Sequence, residues 1–123
     1  MTIALRGGMS IYEQGAREAF ATALYTAATT ISSTGRGLTI TRTGVGLFTA
    51  TLDKPYVSLL GFVATIREAT PTDKITRLVT QTPSTGVLTF QTWDISGAAA
   101  AELANTDNIY VSIAVSRSGI ARV

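Results

Sequence analysis

Between Gly37 and Ile66 apolar and polar residues alternate one by one, and glycines cut the alternation into short runs. Leu38 and Ile40 fall on one side of the chain, Thr39, Thr41 and Thr43 on the other. Beyond Gly44-Val45-Gly46, Phe48, Ala50 and Leu52 share a face opposite Leu47, Thr49 and Thr51. A period of two is that of a strand with one buried face, and a short glycine-rich break between two such runs predicts a hairpin. The same texture continues towards the C-terminus and predicts six strands, at 37–43, 46–52, 57–67, 74–82, 86–93 and 108–116. In the last of them Ile109, Val111, Ile113 and Val115 face inward. Val57–Ile66 is apolar on both sides, with Val57, Leu59 and Val63 against Leu60, Phe62, Ala64 and Ile66, which suits a central strand covered by two layers. Pro71-Thr72-Asp73 and Pro83-Ser84-Thr85-Gly86 are turn sequences, because Pro fixes φ and Gly permits positive φ. Gly97–Asn108, with four consecutive alanines, reads as a long connection holding one helical turn. Strands this short and evenly spaced indicate an antiparallel β-sandwich or jelly roll.

The first third of the chain has a different pattern. Ala16, Phe20, Leu24, Ala27 and Ile31 recur every three or four residues, and Ser10 followed by Glu13 fits a capping box, so Ser10–Thr30 predicts an amphipathic helix. Gly15, which costs about 1 kcal/mol inside a helix, and the β-branched Thr26, Thr29 and Thr30 oppose it. The alternative is an extended arm whose later part pairs as a first strand. Met1–Met9 has no periodicity and contains Gly7-Gly8, so it reads as a flexible arm. The polar break Ser32-Ser33-Thr34-Gly35 then divides the chain into an N-terminal arm and helix, residues 1–34, and a β-sandwich domain, residues 35–123. The expected fold class is mainly β.

Composition narrows what such a domain does. A chain of 123 residues makes one core, and 46% apolar with 15% charged residues excludes disorder. So few charges leave neutral surface to be covered, which favours an oligomer. The 21 threonines act the same way, since strand faces solvated by hydroxyls are poorly defended against edge pairing. The net charge of +2 comes from scattered arginines with no basic cluster, so no nucleic-acid partner is expected. The N-terminus lacks the pattern of a signal peptide, and no apolar run approaches the roughly 20 residues that cross a bilayer, so a soluble protein made in a cytoplasm, with no membrane partner, is expected.

Little catalytic chemistry overlies this scaffold. There is no histidine and no cysteine, which removes the commonest general base and the commonest metal ligands. Each of the eight carboxylates lies beside a predicted turn or cap, where solvation explains it, so neither an enzyme nor a metal or cofactor site is expected. Thr106-Asp107-Asn108, the nearest approach to a calcium loop, is more simply a turn leading into a strand. Trp93 is expected in the core or at a subunit contact, and Tyr12 and Tyr25 flank the predicted helix as anchors on a neighbour.

The string from Gly35 to Leu60, GRGLTITRTGVGLFTATLDKPYVSLL, resembles a pattern of small tailed-bacteriophage virion proteins, the capsid decoration or cement family. There a Gly-x-Gly strand start leads to Thr-Arg-Thr-Gly, then Gly-x-Phe-Thr-x-Thr-Leu, an aromatic-bearing turn and an apolar strand. Gly86–Thr92, the Ala-rich loop after Asp94 and the closing strand Ile109–Ser118 are similar to the same template, so the resemblance spans Gly35–Val123. It implies a jelly-roll-like homotrimer on the outer surface of the phage head, bound to the major capsid protein and located in the virion. A trimeric receptor- or glycan-binding module of a fibre or tail is the alternative. The lead-in Met1–Thr34 is longer than the family's. Its apolar residues have little to bury them locally, so Ile3, Leu5, Arg6, Met9, Ile11, Tyr12, Phe20 and Leu24 are the expected partner-binding residues.

Overall fold

The structure, a computed structural model, describes residues 16–116. They form nine strands and no helix: β1 Ala16–Ala27, β2 Thr30–Arg36, β3 Leu38–Gly44, β4 Leu47–Leu52, β5 Ser58–Arg67, β6 Lys74–Thr82, β7 Val87–Asp94, β8 Ala99–Ala100 and β9 Asn108–Ser116. Two antiparallel sheets result. Sheet A has the order β2-β1-β9-β5; sheet B has the order β3-β4-β7-β6, with β8 added beside β7.

The six strands expected from the alternation are β3 to β7 and β9, and Gly44-Val45-Gly46 makes the β3–β4 hairpin. The inward residues pack between the sheets: Leu38, Ile40, Phe48, Ala50, Leu52, Leu88 and Phe90 from sheet B, and Ile109, Val111, Ile113 and Val115 from β9. Phe48 and Phe90 stack with ring centres 5.2 Å apart, and Phe62 tilts onto Phe90 at 5.5 Å. Emptying either fully buried position to Ala costs about 3–5 kcal/mol.

The predicted helix is not there. Its described part is β1, hydrogen-bonded to β2 on one side and to β9 on the other. Phe20 and Leu24 are four apart, and an even spacing keeps two residues on one face of a strand as well as of a helix. The residues that decide the period are Ala19, Ala21, Ala23 and Tyr25, which alternate into the core. Tertiary pairing on two edges overrides the helix propensity of the alanines and Glu18. Ser32-Ser33-Thr34-Gly35, read as a break, lies inside β2. The chain crosses from sheet A to sheet B two residues later, at Gly37, whose φ of +75° is costly for any residue with a Cβ.

Two further expectations change. β5 is an edge strand of sheet A, not a central one, and a bulge at Leu60 turns Leu59 inward with Phe62, Ala64 and Ile66. The Ala-rich connection makes the short strand β8 and a loop, with no helical turn.

Candidate functional site

The outer face of sheet A carries a relief of exposed apolar side chains. Pairing registers place Val63, Ser112, Phe20 and Arg36 in one row across all four strands. Thr65, Tyr110, Thr22 and Thr34 form the next row. Phe20 is 52% exposed, Val63 60% and Tyr110 44%. Between these side chains runs an open groove of about 420 Å³, lined also by Thr22, Thr65 and Ser112. Charge is kept to the margins: Arg36 ends the first row on the edge strand β2, Glu18 stands beside that row, and Arg67 is bonded to Asn108 at 3.4 Å beyond the other. Leu24 extends the same face towards Arg67. Large exposed apolar groups gathered on one face, inside a polar rim, are the surface signature of a protein contact.

Of the expected partner-binding residues, Phe20 and Leu24 lie on this face. Ile3, Leu5, Arg6, Met9, Ile11 and Tyr12 lie outside the described residues. Val63 and Tyr110 were not among the expected residues. Val63 belongs to the strand read as covered on both sides, and Tyr110 is the outward alternate of β9. The usable signal was that an aromatic stands where the alternation calls for a polar residue.

The outer face of sheet B differs. Thr41, Thr49, Thr89 and Thr80 form a row across its four main strands, and Thr39, Thr51, Val87 and Thr82 the next. Trp93, expected in the core or at a subunit contact, projects from this face, with the Arg77 guanidinium 4.6 Å above its ring. That cation covers one face of the indole.

A polar cluster ties the loop after β8 to both sheets. Tyr25 donates its hydroxyl to Glu102 Oε1 at 2.7 Å, Arg42 clamps the same carboxylate through Nε and a terminal nitrogen, and Gly46 N–H donates to Oε1 at 3.2 Å. Burial, then Glu102, pushes the Tyr25 hydroxyl pKa well above its ordinary value. Burial alone would raise Glu102, but donors from Arg42, Tyr25 and Gly46 outweigh it and hold the carboxylate below its usual range. The Glu102 hydrogen bond raises Arg42 in turn. With the Glu102 carboxylate held by donors from both sheets, this cluster ties the loop to the sandwich. Asp107 is likewise structural: its carboxylate accepts from Ala104 N at 2.9 Å and from Ala69 N at 3.1 Å, where a calcium loop was the rival reading. Among the described residues no three acidic groups gather to hold a metal ion.

No protein-family model matches the sequence, and no curated protein or solved structure matches it either.

Proposed function

We propose that this chain is a non-enzymatic virion structural protein, a homotrimeric decoration or cement protein that binds the outer surface of a tailed-phage capsid and stabilises the head. The observation that carries the reading is the outer face of sheet A, where Phe20, Val63 and Tyr110 stand exposed in an uncharged field with charges only at its margin. This is the face that meets the major capsid protein. Sparse charge, the threonine rows of sheet B and the resemblance over Gly35–Val123 support the rest. Pairing of the first and last described strands, β1 with β9, is in keeping with a jelly-roll-like sandwich. A glycan-binding module of a fibre or tail calls for aromatic faces open to a sugar ring, and Arg77 covers one face of the only tryptophan.

Electron microscopy of virions with the gene present and deleted tests this. The expected result is three-fold density on the capsid exterior that vanishes with the gene. Density lost from a tail or fibre instead overturns the capsid reading.

A further inference from the structure

β5 ends sheet A and β6 ends sheet B, so these two strands form one seam of the sandwich. At the opposite seam the chain itself passes from β2 to β3, and Ile40 N–H donates to Ser33 Oγ at 3.0 Å. Between β5 and β6 themselves one side-chain bond crosses among the described residues, from Thr76 Oγ1 to the carbonyl of Ala64 at 2.8 Å, and beyond the two ends of β5 Tyr56 donates to Gln81 and Lys74 pairs with Glu68. That bond shows that Ala64 turns its carbonyl to the outer edge of β5, where an added strand would take the acceptor over from Thr76, and strand alternation turns the backbone groups of Phe62 and Ile66 the same way. Beside them lies a groove of about 540 Å³ lined by Leu59, Phe62, Val63, Ala64, Thr76 and Leu78. Phe62, at its floor, touches the core ring of Phe90, while Leu78 and Val79 are 38% and 52% exposed on the facing edge. An apolar slot beside a free strand edge has the shape that an added strand fills.

The sequence holds a segment suited to it. In Thr2-Ile3-Ala4-Leu5-Arg6 the large apolar residues sit two apart and so share one face of a strand. Nine residues, Gly7 to Gly15, link it to β1, a reach of roughly 30 Å when extended. They meet β1 at Ala16, at the end of sheet A where Ser116 pairs with both Ala16 and Ser58. On the way along that end to the chain's own β5 edge stands Val57, whose N–H donates to the Ser116 carbonyl at 2.7 Å. A segment arriving from a neighbouring subunit need not take that route. Donor and slot are different surfaces, so exchange between copies is head-to-tail, and the homotrimer is the case in which three such contacts close into a ring.

We propose that the β5–β6 seam receives residues 2–6 of a second copy of this chain as an added edge strand of sheet A, with Ile3 and Leu5 seated against Phe62 and Leu78. This rests on the homotrimer of the proposed function and names the contact that holds it.

The chain has no cysteine, so paired substitutions are free of background. Leu5→Cys with Leu78→Cys, and Ile3→Cys with Leu78→Cys to allow for register, are oxidised with copper phenanthroline and run on a non-reducing gel. The expected result is bands of two and three chains from one of the two pairs, from a protein that light scattering sizes at about three times 12.9 kDa. Removing residues 2–6 is expected to lower that mass to one chain and to speed amide exchange in β5. Crosslinks confined to single chains overturn the exchange between copies. A particle that stays trimeric without residues 2–6, or one that gives no crosslink in either pair, overturns the seam as the contact and leaves the trimer standing. A parent protein that is monomeric at micromolar concentration overturns the trimer itself.

Discussion

Tyr25 and Glu102 join parts of the chain that are 77 residues apart: the tyrosine rises from β1, in sheet A, and donates to the loop carboxylate at 2.7 Å. Its ring is fully buried and meets Phe48 edge-on, 6.3 Å between centres. One side chain therefore fills the core, spans the layers and fixes the loop that leads to β9.

Glu102→Ala leaves the buried Tyr25 hydroxyl without its acceptor and is expected to cost about 1–3 kcal/mol. Tyr25→Phe keeps the ring packing, and Arg42 and Gly46 still satisfy the carboxylate, so its cost should be smaller, about 0.5–1.5 kcal/mol. Urea unfolding of both variants decides it. A larger loss in Tyr25→Phe would show that the hydroxyl matters for something other than Glu102.

Stability should fall at both extremes of pH. Glu102 is held below its ordinary value of 4.5, so the unfolded chain binds the proton first and stability drains away as pH falls below about 4.5. Asp94, lowered by the Ser96 hydroxyl and the Gly97 amide, adds to the acid loss. Tyr25 is raised, so its contribution is complete below its ordinary value of 10.0 and declines as pH rises beyond it. Tyr56, raised by burial, shares that alkaline loss. Melting temperatures from pH 3 to 11 should show Glu102→Gln flattening the acid limb and Tyr25→Phe the alkaline one; parallel curves for variant and parent would refute the assignment.

Gly46 turns the β3–β4 hairpin at φ +62°, and a Cβ there would stand 2.7 Å from the backbone N and O of Ala101. Gly46→Ala is expected to cost more than about 2 kcal/mol, combining left-handed strain with a clash against main chain. Gly61→Ala, whose added Cβ meets nothing within 4 Å, is the control and should melt close to the parent. Equal melting of the two variants would contradict the docking of the hairpin on the loop.

Phe20→Glu replaces the exposed aromatic between Arg36 and Val63 by a charge without touching the core. Its melting temperature should stay close to the parent's, because the side chain is half exposed. Binding to purified capsids in a co-sedimentation assay should fall at least tenfold, while the mass by light scattering stays unchanged. Full capsid binding by this variant would remove the face from the proposed contact.

Six strands, and the inward residues of β3, β4, β7 and β9, are legible in the sequence, because a half-buried strand writes its period of two directly into residue order. Asp107 could be read no further than a turn, since the amides that its carboxylate ties come from two separate loops. The helix expected over Ser10–Thr30 shows where pattern alone fails: Phe20 and Leu24 fit either period, and partners brought in by β2 and β9 decided for the strand. Val57–Ile66 was placed at the centre of a sheet on its composition, yet which strand lies at an edge depends on the order of the whole sheet. The Arg42–Glu102–Tyr25 cluster left no mark in the sequence, as its members are 60 and 77 residues apart and each is unremarked where it stands. The sequence by itself determined six of the nine strands and the inward residues of β3, β4, β7 and β9, because both follow from neighbours along the chain. Only the tertiary structure decided that Phe20, Val63 and Tyr110 share one exposed face and that β5 and β6 leave a seam, because both depend on which strands lie side by side.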